Sequence, residues 1–389
     1  MKKKLLFVIN HLTIGGIQKT LISALKAIDY NKYDVTVYLR KNRTDLLPFI
    51  DERATVVVNN DTNKYYRKMR AVWLQTLIET YRLTGQKEKS EKAKRELSEL
   101  INQYCMKYEH KTFFADQKYD IAIAYANGYP AYFVADYINA EEKIIFFHTS
   151  TNDLPEVHEK FISKFDKTCA VHDGLTKLIS AWYPCFENKI SVVENYVDAE
   201  SLKIQASEKK FEFSDCKPVL CSCGRFAPVK GFNMAIEAAK ILKSNNIEFI
   251  WLFVGDGPER TKLEKKISEY GLGENIVITG MQKNPYPYMA SCDIYVQPSY
   301  EEAWGLTIAE AHRLGKPVVT TATVGGCKLV KNNINGIVCE INPEAIAESI
   351  INLINDKESY NNIINNLKST DYSHEFEKYK EQWKNLLEG

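Results

Sequence analysis

Two glutamates eight positions apart, Glu302 and Glu310, stand in the stretch EEAWGLTIAEA at residues 301–311. Gly305 lies between them where a helix can begin, so Glu302 falls on the preceding loop and Glu310 just over one turn into the helix. The free amides around Leu306 and Thr307 at such a start form an anion site suited to phosphate. A buried Glu310 there can accept hydrogen bonds from both hydroxyls of a ribose, and Glu302 can hold hydroxyls of a sugar. Two cations complete the set. Arg225 and Lys230 lie five residues apart on the loop CGRFAPVKG, between Gly224 and Gly231. They can reach around a diphosphate and neutralise the charge that grows on it as a leaving group. Taken singly, loop cations and spaced glutamates have ordinary structural explanations; their joint placement beside a glycine helix start is what carries weight.

Two more segments belong with these. In TGMQKNPYPYM, residues Gly280 to Pro285 follow a strand, which turns backbone N–H and C=O groups toward a cleft where they can read the edge of a flat base. In VGDGPER, a tight glycine turn leads into Pro258 at the first turn of a helix, a structural punctuation that assigns no catalytic role to Asp256.

These residues need a frame. Leu5 to Asn10, the turn HLTIGG, the amphipathic segment Ile17 to Ile28 and Val35 to Leu39 read as strand, glycine turn, helix, strand. That is a βαβ unit, which implies a parallel sheet covered on both faces. Further buried strands are expected at Tyr119 to Tyr125, Lys143 to Phe147 and Ser191 to Val193. A charged stretch of helical period, about 63–110, interrupts this first domain, 1–202. A polar linker at 203–215 precedes a second domain, 216–370, with strands at Val219 to Cys223, Phe249 to Val254, Asn275 to Thr279, Ile294 to Gln297 and Pro317 to Thr320. Two successive doubly wound α/β sheets leave a cleft between their carboxyl ends, where ligands of such folds bind. An amphipathic helix with Trp383 closes the chain at 371–389.

Composition excludes several classes. With 389 residues, 45% hydrophobic, 26% charged and a net charge of +1, the chain is no binder of nucleic acid by bulk electrostatics. Nine scattered cysteines without a CxxC pair read as reduced thiols of a cytoplasmic protein. The start MKKKLLFVINHLTIGG has an apolar run of only five residues, short for a secretory leader, and reads as a first buried strand. Lys64, Arg67, Lys68 and Arg70 sit beside Tyr65, Tyr66, Val72, Trp73 and Leu74. This is either a helix attracted to anionic lipid at the inner face of the cell membrane or one packing its aromatic face on its own domain.

Taken together, the segments resemble the retaining glycosyltransferases known as "glycosyl transferases group 1", or family 4. The likeness is carried by Gly15-Gly16 after the first strand, FFHTS ending in His148, ENYVD, GRFAPVKG, VGDGPER, GMQKNPYPYM, the paired glutamates, GKPVVTTATVGG and NGIVCE. It is similar above all to enzymes that build capsule and exopolysaccharide repeat units. The resemblance implies the GT-B fold: two Rossmann-like doubly wound domains facing a cleft, with the last helix crossing back to the first domain. It also implies transfer of a hexosyl-type sugar from a nucleotide diphosphate, with UDP favoured by family habit, without metal or cofactor and with retention. By the same likeness Arg225 and Lys230 bind the diphosphate, Glu310 the ribose and Met281 the base through its backbone. Glu302 contacts the sugar, Gly16 lies over the phosphates, and His148 faces the sugar from the first domain. Trp304, Gly305, Leu306 and Thr307 complete the donor site, and the acceptor is a saccharide, lipid-linked in polymer-building relatives. Met281, Trp304 and Cys327-Lys328 depart from the common pattern at positions that bear on base and sugar choice.

A dehydrogenase shares the βαβ start, but no GxGxxG follows the first strand and the second ends in Arg40-Lys41 rather than an acid. A glycosidase also uses two carboxylates, yet these flank a phosphate-type helix start. A GT-B epimerase or phosphorylase, or a non-catalytic partner of a true transferase, shares the architecture. The presence of Arg225, Lys230, Glu302 and Glu310 together favours activity.

Overall fold

The computed structural model describes residues 1–60, 69–148, 159–211 and 217–389. Thirteen strands in these residues form two wholly parallel sheets. The first comprises β1 (Lys3–Ile9), β2 (Tyr33–Leu39), β3 (Thr55–Val58), β4 (Tyr119–Ala124), β5 (Ala140–Phe147), β6 (Lys167–Ala170) and β7 (Ile190–Val192), in the order β3-β2-β1-β4-β5-β6-β7. The second comprises β8 (Val219–Cys223), β9 (Ile250–Val254), β10 (Ile276–Gly280), β11 (Ile294–Gln297), β12 (Val318–Thr321) and β13 (Gly336–Cys339), in the order β10-β9-β8-β11-β12-β13. Each order reverses beside the first strand of its sheet, β1 or β8, which opens a crevice at the strand ends there. The central strands are nearly continuous apolar runs because helices cover both faces: Leu5 to Val8 of β1 are fully buried.

Three strands escape a reading by hydrophobic pattern. β3 is a half-exposed edge strand, β6 (KTCA) is four residues long and half polar, and β13 starts at Gly336. The interval 63–110 contains two helices, Met69–Leu83 and Lys87–Glu109, packed on each other. The second is tied to the sheet by polar contacts at its end. Glu109, buried, accepts from Tyr129 Oη at 2.5 Å and Asn59 Nδ2 at 3.0 Å, while the Arg40 guanidinium lies 3.5 Å from the Tyr129 ring centre. Lys64, Arg67 and Lys68 lie outside the described residues, as does the side chain of Arg70; of their neighbours, Leu74 is buried and Trp73 is 58% exposed.

The linker differs from its sequence reading. Residues 203–207 are the second half of a helix, Ala199–Ser207, that packs on helices Tyr286–Ala290 and Leu306–Arg313 of the second domain. Asp198 caps it by accepting from the Ser201 amide, and Leu202 buries its apolar side. Leu202, with Ala206 partly buried against the same core, and the Asp198 cap hold a segment that reads as a polar linker.

Helix Glu375–Glu388 leaves the second domain and returns to the first. Tyr379, Trp383, Leu386 and Leu387 join the core that contains Phe7, Tyr125 and Phe146, and the Trp383 ring stacks on Phe146 with centres 5.3 Å apart. The apolar stripe buried this way anchors the two domains to each other.

Candidate active site

The helix Leu306–Arg313 is the centre of the site. Gly305 precedes it with φ of +87°, a left-handed conformation that a side chain would strain, and a Cβ there would come within 2.9 Å of Ile308. The turn leaves the amides of Leu306 and Thr307 without helical carbonyls. The helix start lies against the first domain: a Cβ on Gly16 would lie 3.8 Å from Leu306 Cδ2, so the glycine turn after β1 abuts it.

Lys230 and Glu302 meet beside the helix start. The Lys230 ammonium donates to Glu302 Oε2 at 2.6 Å. Gly231 makes this approach possible, with φ of +67° and its α-carbon so close to β11's exit that a Cβ would stand 1.8 Å from the Pro298 carbonyl oxygen. Gln297, buried at the end of β11, organises the rest. Its amide Nε2 donates to Ser299 Oγ at 2.8 Å and lies 3.4 Å from Glu302 Oε2, while its Oε1 accepts from Thr307 Oγ1 and from Tyr295 Oη, both at 2.9 Å. The Thr307 hydroxyl is thus held by Gln297 through its side chain, leaving its amide free for an anion.

Glu310 is only 2% exposed. Its Oε1 accepts from Lys19 Nζ at 2.7 Å and from Tyr286 Oη at 2.9 Å; its Oε2 is buried without a partner among the described residues. Burial first, then the neighbouring carboxylate, pushes the Tyr286 phenol up. Burial works against the charge on Lys19, but Glu310 and Tyr286 outweigh it and hold the ammonium well above its ordinary range.

The remaining expected residues stand apart from these contacts. Arg225 is exposed and has no ion pair among the described residues, which leaves its guanidinium available on the cleft loop. Met281 is 68% exposed. His148, just past β5, has its ring centre 5.0 Å from that of Tyr125 and 5.9 Å from that of Phe146, and its Nε2 is shut off from solvent without a partner among the described residues. Burial lowers it to about 4, so the imidazole is neutral near pH 7. Trp304 turns the other way: 7% exposed, it lines a cavity of about 280 Å³ with Glu194, Tyr196, Arg313 and Lys328. Sequence reasoning missed Lys19, Tyr286 and Gln297. Their signals were weak, since Lys19 falls within a helix of ordinary apolar period and Gln297 ends a buried strand.

Residues 203–370 match the family model "Glycosyl transferases group 1". These residues form a glycosyl transferases group 1 domain. The match contains Arg225, Lys230, Met281, Tyr286, Gln297, Glu302, Gly305 and Glu310. Among curated relatives, the lipopolysaccharide core biosynthesis glycosyltransferase LpsE of Rhizobium meliloti is 30% identical over 172 residues, 44% of this chain and 49% of that protein. The UDP-Gal:alpha-D-GlcNAc-diphosphoundecaprenol alpha-1,3-galactosyltransferase of Escherichia coli is 28% identical over 178 residues, 43% of this chain and 46% of that protein. The chain spans about half the length of the curated relatives it matches. Beyond the group 1 domain, the likeness to solved structures covers both halves. An S. aureus TarM structure with UDP aligns over 100% of both chains with a TM-score of 0.71 at 14% identity. Anabaena HepE with UDP and glucose aligns over 99% of both with a TM-score of 0.69 at 17% identity. The fold is GT-B, and the group 1 domain is its second half.

Proposed function

We propose that this chain transfers a hexosyl-type sugar from a UDP-sugar to a lipid-linked saccharide during the synthesis of a bacterial surface polysaccharide. The observation that carries the reading is the convergence at one helix start. Free amides at Leu306 and Thr307, the Lys230–Glu302 pair, the buried carboxylate of Glu310 and the close approach of Gly16 meet there from both domains. An anion against that helix, ringed by cations and carboxylates, is the chemistry of a diphosphate joined to a sugar at one end and a ribose at the other.

In this reading Arg225 and Lys230 take the diphosphate, the backbone of Met281 reads the base, Glu310 binds the ribose, and Glu302 and His148 face the sugar. Gly16 and Gly305 shape the space around them, whereas Trp304, expected at the donor site, faces the separate cavity described above. The acceptor hydroxyl attacks from the face the nucleotide leaves, so configuration is retained and its proton passes to the departing phosphate. No protein base, metal or cofactor is assigned to the step. Positioning and stabilisation of the leaving group supply the rate. The relatives support the partners: one is named for UDP-galactose and a diphosphoundecaprenol-linked acceptor, one for lipopolysaccharide core, and HepE is solved with UDP. Work at the inner face of the cell membrane, with contact through Lys64, Arg67, Lys68 and Arg70, belongs to the same proposal. It is supported by the exposed Trp73 that follows them, while no described helix is long and apolar enough to cross a membrane.

The test is a screen of thermal stabilisation and sugar release against UDP-, GDP- and ADP-sugars. A UDP-sugar is expected to stabilise and turn over, and Glu310→Ala to abolish turnover with the fold intact. Full activity of that variant, or a blank screen, overturns the assignment.

A further inference from the structure

The ion pair between Lys19 and Glu310 joins residues 291 positions apart, one from each domain. Lys19 lies on helix Gly16–Ala27, three residues past the glycine that abuts Leu306, and its ammonium sits 4.7 Å from the Tyr286 ring centre. It keeps 24% of its side chain exposed, whereas Glu310 keeps 2%. The carboxylate is therefore the group that depends on the pair. A buried charge without a counter-ion is costly, and nothing else cationic touches Glu310 among the described residues.

The two donors also divide the carboxylate. Oε1 has both lone pairs occupied, by Lys19 and Tyr286. Oε2 has none occupied and is cut off from solvent, a buried acceptor that lacks a donor. A ligand hydroxyl is the group that satisfies it. We propose that Lys19 is a positioning residue for the ribose of the donor: from the first domain it fixes Glu310 through Oε1, so that Oε2 is the acceptor presented to the nucleoside hydroxyls. The ribose subsite is then built by both domains, and recognition of the hydroxyls depends on the first domain being docked on the second. This rests on the nucleotide-sugar reading above and adds to it a residue from the opposite domain.

The experiment measures, by titration calorimetry, the affinity of the full chain for UDP and for 2′,3′-dideoxy-UDP, which differ only in the hydroxyls. The wild type is expected to prefer UDP by about tenfold or more, the weight of a hydrogen bond to a charged group. Lys19→Met is expected to lose most of that preference, with dideoxy-UDP bound within about twofold of wild type, because the phosphate contacts are untouched. Lys19→Arg, which keeps the charge, is expected to restore it. Thermal melts establish that each variant is folded, and Lys19→Gln serves as the second neutral variant if the methionine form is not. A neutral variant that keeps the wild-type preference overturns the proposal. So does a wild type that binds both nucleotides equally, which removes the ribose from Glu310 but leaves the donor reading standing. A wild type that binds no UDP overturns the donor reading itself, and this inference with it.

Discussion

Replacing Lys230 by methionine tests the proposed chemistry of the diphosphate most directly. The side chain keeps its length and loses its charge. In the structure Lys230 pairs with Glu302 at 2.6 Å, but the two side chains are 29% and 14% exposed. An ion pair with that much contact with water is worth about 0–1 kcal/mol, so the thermal midpoint is expected to move by no more than about 3 °C. Function should respond far more. A hydrogen bond from a charged group to the diphosphate contributes about 1.5–3 kcal/mol, or about 10–150-fold in the Kd of UDP. Its partner adds to the loss. Without Lys230, the Glu302 side chain retains, among the described residues, the Gln297 amide at 3.4 Å, and an uncompensated carboxylate then faces the phosphates. In the transition state, where charge on the leaving group grows, the deficit widens and kcat should fall by about 10²–10³. Calorimetry with UDP and initial rates with the UDP-sugar found in the screen measure both. Adding Glu302→Gln should recover part of the UDP affinity by removing the repulsion, without recovering kcat. A folded Lys230→Met protein with kcat within threefold of wild type refutes the reasoning.

Two further outcomes are expected. Nε2 of His148 and of His312 is shut off from solvent and has no partner among the described residues, and burial lowers each from 6.5 to about 4, helped at His312 by neighbouring Arg313. Between those values the unfolded chain binds more protons than the folded one, so stability is full above about pH 6.5 and falls as pH drops toward 4. The loss is on the order of 3 kcal/mol per histidine across the whole window, and melts at pH 7 and pH 5 check it; an unchanged midpoint counts against the buried, neutral imidazoles. At the membrane, the protein is expected to float with vesicles containing phosphatidylglycerol and not with pure phosphatidylcholine, and reversing Lys68 to Glu should weaken flotation. Equal behaviour on both vesicles retires the lipid contact.

Much of this protein is written in local sequence. Predominantly apolar runs mark β1, β4, β5, β8, β9 and β11 because a strand buried on both faces favours apolar side chains and takes a polar one, such as Ser222 or Gln297, only with a hydrogen-bond partner. Gly231 and Gly305 mark turns because only glycine tolerates their left-handed backbone and close approach. The spacing from Glu302 to Glu310 marks a loop followed by one helical turn, because helix geometry makes that distance a local property. What lies nearby in space but far along the chain was not legible. That Lys19 would neutralise Glu310, that Gln297 would join Thr307 to Glu302, and that Trp304 would turn to the opposite cavity depend on how the helix Leu306–Arg313 is aimed between two domains. A lysine within an amphipathic helix has the same local pattern whether it faces water or a buried carboxylate. Only the packing of one domain against the other, anchored by the returning helix with Trp383, selects between them.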